Sequence, residues 1–164
     1  MTKTLILMRH AKSSWDDPSA DDHARVLNGR GRVSADALGD WLRARHYLPD
    51  QAIISDAART RETFARLGLL CDTQFEAALY HASPPAMLRL LKAATGERVL
   101  MVGHNPGIAE LAEILVKAPP DHSRFFDYPT GATAVIGFEC DDWSRLASGT
   151  GQILDFVIPR DITA

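Results

Sequence analysis

A chain of 164 residues, 46% of them hydrophobic and 24% charged, is long enough for one filled core and too short for two domains of ordinary size. The formal net charge of -3 speaks against a broad nucleic-acid-binding face, although an acidic protein can still carry a local basic pocket. The composition is that of a globular protein, not of a disordered or fibrous one.

Cys71 and Cys140 lie far apart and form no CxxC pair, so they read as reduced thiols and not as a zinc site. The opening MTKTLILMRH has too short an apolar run, and no cleavage site, for a secretory signal. No apolar segment approaches bilayer length. The expectation is one cytoplasmic domain over residues 1–164, with no membrane or nucleic-acid partner.

In chain order, Leu5 to Met8 form an apolar run without helical period, which reads as a strand buried on both faces and ending at Arg9-His10. The polar stretch from Lys12 to Gly31 reads as a loop. From Gly31 to Leu48, Val33, Ala37, Leu38, Trp41, Leu42 and Ala44 recur at helical spacing. Gln51 to Ile54 is a second strand, and Ser55-Asp56 reads as the cap of a helix running through Leu70. Asp72 to Glu76 is a third strand, and Ser83-Pro84 opens a helix to about Ala94.

Arg98 to Val102 is again a buried-type run, ending at Gly103-His104 before a helix over Ile108 to Lys117. Ala132 to Glu139 and Gly151 to Ile158 are extended stretches that could pair antiparallel at an edge. The alternation implies an α/β three-layer sandwich, with a mostly parallel central sheet and helices on both faces.

Apolar strands stop repeatedly at cationic or imidazole side chains: Arg9-His10, then Ser55 to Arg59, then His104. In a parallel sheet such ends share one rim and can meet in one crevice. Guanidiniums and imidazoles around one cavity repel each other unless an anion lies between them, and a tetrahedral phosphate suits that place.

These residues also carry a resemblance. Arg9-His10 resembles the RHG signature of the histidine phosphatase superfamily, the phosphoglycerate mutase-like proteins, with Ala11 where the commonest signature has Gly. Ser55 to Thr63, SDAARTRET, resembles the family's S-x-A-x-R-x-x-x-T segment, and VGHNPG at Val102 to Gly107 resembles its third motif. Asp22, Arg25, Leu27 and Gly31 resemble a D-x-x-R-x-L-x-x-x-G pattern. The short length, with no inserted lid domain, is most similar to the SixA-type phosphohistidine phosphatases.

The resemblance implies His10 as a nucleophile that becomes phosphorylated, Arg9 and Arg59 as a clamp on the phosphoryl oxygens, and His104 as a further donor. It implies Arg25 as a phosphate or substrate ligand, with Ser13 close enough to touch phosphate. Glu76, after the third strand, is the candidate general acid. No metal and no organic cofactor are implied. The expected partner is a phosphorylated substrate, among them a phosphohistidine-bearing protein domain, and the open crevice such a partner needs points to a monomer.

Four other readings compete. A phosphatase of small phosphoesters and a phosphomutase share the site, although a mutase requires a lid that keeps water out. A silent phosphate-binding module would follow if Ala11, strained by a required positive φ, or a missing acid abolished turnover. A metal-dependent hydrolase lacks any HExxH or carboxylate-rich spacing. His23, His46, His81 and His122 read as solvated or capping residues, while Tyr80 and His81 could line the crevice. Trp15, Phe125, Phe126 and Tyr128 could border its entrance.

Overall fold

The computed structural model describes residues 2–163; the two ends of the expected 1–164 domain lie outside them. Six strands, β1 (Thr2–Arg9), β2 (Gln51–Ser55), β3 (Asp72–Glu76), β4 (Arg98–Gly103), β5 (Thr133–Glu139) and β6 (Gln152–Val157), form one sheet in the order β3-β2-β4-β1-β5-β6. The first four in that order pair in parallel, and β5 and β6 add antiparallel on the far side of β1. The mostly parallel α/β sheet, with the last two extended stretches antiparallel at one edge, is therefore the observed architecture.

The apolar runs are continuous because both faces of the sheet are covered. Leu5 and Leu7 of β1, Ile53 of β2, and Val99 and Met101 of β4 pack in one layer with α3 (Pro84–Lys92) and α4 (Gly107–Leu115). Their neighbours Ile6, Met8, Ala52, Ile54, Leu100 and Val102 point the other way, to α1 (Gly29–Ala44) and α2 (Ala58–Leu67). A short α5 (Pro159–Ile162) closes this second layer. Period-two alternation with apolar side chains at every position is what two covered faces require.

Two helix readings shift in the structure. Helix α1 begins at Gly29, where the Asn28 side chain accepts the Gly31 N–H at 2.8 Å, and ends at Ala44, not Leu48. Its buried stripe is Ser34, Ala35, Leu38 and Leu42, leaving Val33 61% exposed. The rotation follows from close backbone approach: a Cβ on Gly31 would lie 2.0 Å from the Lys12 carbonyl oxygen, and one on Gly39 would lie 2.3 Å from that of Leu67. Small residues, not the largest apolar ones, choose the packed face.

Helix α2 ends at Leu67 and its chain reverses at Gly68, which takes φ 68°, a left-handed value that glycine adopts without cost. The stretch read as a loop from Lys12 to Gly31 is ordered by its own pairing. Ser14 N–H donates to the Val26 carbonyl at 2.7 Å and Asn28 N–H to that of Lys12 at 3.1 Å, with a single 3-10 turn over Asp22–Ala24 at the tip.

Candidate active site

β2, β4 and β1 are consecutive neighbours whose carboxyl ends lie flush, with Met8 opposite Val102 and Ile54 opposite Val102 on its other side. Arg9-His10, Gly103-His104 and Ser55 therefore emerge side by side on one rim, and Arg59 enters from the first turn of α2. They surround a cavity of about 320 Å³ lined by Arg9, His10, Ser13, Arg25, Arg59 and His104, together with Lys12, Trp15, Asp22, His81, Asn105 and Thr130.

His10 and His104 stand with ring centroids 5.3 Å apart, both almost wholly buried. His10 Nδ1 lies 2.7 Å from the Ala11 carbonyl oxygen, which can only accept, so Nδ1 carries the proton and the neutral ring presents its lone pair at Nε2. Arg59 Nε lies 3.4 Å from that Nε2. Burial is the main reason that the His10 pKa falls to about 3; the Ala11 carbonyl opposes the shift and the neighbouring arginines add to it. The ring is thus neutral across the neutral range, with the Nε2 lone pair available.

His104 is also held neutral, its pKa lowered to about 3 by burial first and then by His10 and Arg59. Its Nε2 is 2.7 Å from Ser55 Oγ. Ser55 Oγ also accepts the Ala57 N–H at 3.4 Å; with its own proton donated to the imidazole, the ring proton of His104 lies on Nδ1. Nδ1 of His104 and Nε of Arg9 are buried and have no hydrogen-bond partner among the described residues. Two unpaired donors at one cavity are an acceptor-hungry arrangement, and phosphoryl oxygens are acceptors only.

The cations are held in place by main-chain and carboxylate acceptors. Arg9 Nη1 donates to the Tyr128 carbonyl at 3.2 Å, and burial followed by the Arg59 charge pulls its pKa below the ordinary value. Arg59, 3% exposed, donates to the Asp22 carbonyl oxygen at 2.6 Å and to its carboxylate at 3.1 Å. Arg25 Nε reaches the other Asp22 oxygen at 3.2 Å, its Nη1 reaches Ser13 Oγ at 2.8 Å, and its guanidinium stacks 3.5 Å from the centre of the Trp15 ring. Asp22 also accepts from the Tyr80 hydroxyl and lies 3.3 Å from His81 Nε2. The Tyr80 hydrogen bond first, and then Arg59, hold its carboxyl well below the usual range.

The motif residues between these groups have structural reasons. Thr63 Oγ1 accepts the Ala11 N–H at 3.0 Å and donates to the Arg59 carbonyl at 2.7 Å, tying the loop after β1 to α2. Glu62 accepts the Leu27 N–H at 2.9 Å and Arg32 Nε at 2.8 Å, which anchors the returning strand of the Asp22 loop. Asn105 Nδ2 donates to the Asp127 and Tyr128 carbonyls at 3.0 Å each, so the loop that receives Arg9 is fastened to the start of α4.

The cavity gathers His10, Arg9, Arg59, His104, Arg25 and Ser13. It does not gather Glu76. That side chain lies near the edge of the sheet, on β3, where Gln74 Nε2 donates to it at 2.9 Å, and it lines no part of the cavity. Its placement corrects the expectation of a general acid there: β3 is separated from β4 by β2, one strand too far. The residue at Ala11 is not strained, since its φ is not positive, and it is fully buried against Leu27 and Ala35. Ser55 is not the cap of α2, whose N-cap is Ala57; its hydroxyl is taken by His104. Tyr128 does not border the entrance but is buried, its hydroxyl donating to the Leu7 carbonyl and accepting the Ala134 N–H at 3.0 Å.

Asp22 and Ser55 enter the sequence reading only as motif positions without an assigned role in the site, and Lys12 and Thr130, which also line the cavity, carry no signal there. Ser55 carried a usable signal, since it ends a buried strand beside two others that end in site residues. Asp22 carried only its place in a motif. Among the described residues no group of three or more His, Cys, Asp or Glu side chains is disposed to hold a metal ion, and no helix is long and apolar enough to cross a membrane.

Residues 5–79 match the histidine phosphatase superfamily (branch 1). An uncharacterized protein of Mycobacterium tuberculosis is 32% identical over 161 residues, covering 93% of this chain and 100% of that protein. A structure from Nakamurella multipartitia, proposed to be the phosphohistidine phosphatase SixA, superposes with a TM-score of 0.87 at 29% identity, covering 97% of each chain. One from Agrobacterium tumefaciens, proposed to be the same enzyme, gives 0.77 at 29% identity over 96% of this chain and 99% of that one. With its strand-end imidazoles, its paired arginines and these relatives, the chain belongs to the histidine phosphatase superfamily, in the SixA-type branch of phosphatases.

Proposed function

We propose that this phosphatase removes phosphoryl groups from histidine side chains of proteins, through a phosphohistidine formed on its own His10. The observation that carries the reading is that no carboxyl group lining the cavity is free to act as a proton donor. The one carboxylate among the lining residues, Asp22, is held ionised by Tyr80 and Arg59. An alkoxide leaving group needs a positioned proton donor, whereas imidazole, with a reference pKa of about 6.5, leaves with a proton from solvent near neutral pH.

In the first half-reaction His10 Nε2 attacks phosphorus, the P–N bond to the substrate imidazole breaks, and that imidazole departs with a solvent proton. Negative charge on the equatorial oxygens is met by Arg9, Arg59 and Arg25 and by the Nδ1–H of His104. In the second, water attacks the phosphorus on His10, the new P–N bond breaks, and phosphate leaves as Nε2 recovers its lone pair. Donors and nucleophile belong to the chain, so the sequence of steps calls for no metal.

The second reading, cleavage of small alkyl phosphoesters, would need a proton donor, and His81 beside Asp22 is the group nearest to that role. The test is direct. A phosphohistidine peptide, an aryl phosphate and an alkyl phosphate are offered to the same preparation, with and without a chelator. Cleavage of the first two with little of the third, acid-labile label on His10, and complete loss in His10→Ala are expected. Efficient alkyl-ester cleavage that disappears in His81→Ala would replace the proposal by the second reading.

A further inference from the structure

The cavity is not bounded on all sides. Lys12 and Thr130 line it and also line a second depression of about 260 Å³, whose other walls include Arg30, Arg124 and Arg160. That depression adjoins a third, of about 700 Å³, with which it shares Arg30, Ser34, Pro159 and Arg160. Together they make a trough that leaves the phosphate site and passes between the first turn of α1 and α5.

The charge of this trough is one-sided. Arg124 is neutralised by Asp127, its Nη2 2.8 Å from the carboxylate. Asp161 on α5 is already engaged by His122 at 2.9 Å and by the Ile158 N–H at 3.0 Å. Among the described residues Lys12, Arg30 and Arg160 have no ion pair and no side-chain hydrogen bond, on a chain whose net charge is -3. Three cations without an acidic partner along one channel give it a positive potential, which favours an anionic occupant.

The occupant has a definite character. Arg30 and Arg160 are exposed, and Val33, 61% exposed, lines the same depression. An enclosed pocket with convergent donors would suit a small second phosphate; an open wall of long cations beside an apolar side chain suits the surface of a polypeptide. We infer that the trough receives acidic side chains flanking the phosphorylated histidine of a protein substrate while the phosphoryl group sits among His10, Arg59 and His104. The inference rests on the phosphohistidine reading above. It adds what that reading lacks, a basis for choosing one phosphohistidine over another.

The experiment compares two chemically phosphorylated histidine peptides, one flanked by glutamates and one by serines. The wild-type protein is expected to show a KM roughly five- to tenfold lower for the glutamate peptide at similar kcat, a preference that fades as salt is added. The Arg30→Glu, Arg160→Glu double variant is expected to lose that preference and to cleave the serine peptide and an aryl phosphate at wild-type rates, which also reports that it is folded. A wild-type protein without the preference, or a double variant that keeps it, overturns the inference. So does a double variant that cleaves both peptides as wild type does but loses cleavage of glycerol 1,3-bisphosphate, an outcome that assigns the trough to small molecules. A wild-type protein that cleaves the aryl phosphate but neither peptide overturns the phosphohistidine reading itself, and the inference falls with it.

Discussion

Asp22 gives Arg59 two acceptors at once, its backbone carbonyl oxygen 2.6 Å from Nη1 and a carboxylate oxygen 3.1 Å from Nη2. The other carboxylate oxygen holds Arg25, so one exposed loop residue orients two of the three guanidiniums that line the cavity. A surface ion pair by itself contributes little, but here one partner is almost completely buried and must stay where the reaction needs it. Asp22→Ala is expected to lower kcat/KM on an aryl phosphate by roughly 10- to 100-fold, and Asp22→Asn, which keeps the shape, by less. Steady-state kinetics on the two variants decide it; unchanged values in both would remove Asp22 from the site.

Ser55 acts through His104. With its hydroxyl donating to Nε2, the ring proton of His104 lies on Nδ1, the nitrogen without a partner among the described residues. Ser55→Ala is expected to lower kcat by about tenfold with little change in KM, because the donor matters most when charge has built up on the phosphoryl oxygens. Ser55→Thr, which restores a hydroxyl, is expected to recover most of the loss. Equal activity of all three proteins would mean that the tautomer of His104 is set elsewhere.

The two buried imidazoles make the protein sensitive to acid. Their folded-state pKa values, about 3, lie below the ordinary value of about 6.5, so the unfolded chain binds the extra protons between those limits. Stability contributed by keeping them neutral is complete above pH 6.5 and is lost as pH falls toward 3. Urea unfolding at pH 7 and pH 5 is expected to show a larger drop for wild type than for the His10→Gln, His104→Gln double variant. The acid limb of kcat/KM is correspondingly expected well below pH 6.5, not at it.

Thr63 is expected to matter as much for stability as for rate. Replacing it with valine keeps the volume and leaves the buried Ala11 N–H without its acceptor, a loss of about 1–3 kcal/mol in a denaturation experiment. Because Ala11 also carries the carbonyl that orients His10, kcat is expected to fall with it. A Thr63→Val variant with wild-type stability and rate would show that the loop after β1 holds itself.

Glu76→Gln is expected to leave every phosphatase activity unchanged, since that side chain meets Gln74 at the sheet edge and not the cavity. Loss of alkyl-ester cleavage in this variant alone would return it to the role of acid.

Local regularities in the chain are enough to place most of its elements. Runs such as Leu5 to Met8 and Val99 to Val102 read as strands covered on both sides, and the points where they stop, Arg9-His10 and Gly103-His104, are visible as abrupt changes of side-chain chemistry. Those signals depend on neighbours one to four residues away. The remaining decisions depend on neighbours far away in the chain, which its order does not rank. That β2 and not β3 lies next to β4 decides that Ser55 meets His104 and that Glu76 meets nothing in the cavity. Which hydroxyl caps and which orients an imidazole, which tyrosine is an anchor, and which aspartate gathers the arginines are choices among equivalent donors and acceptors. Only the packed strands and the returning Asp22 loop, by bringing particular groups within hydrogen-bond reach, make them.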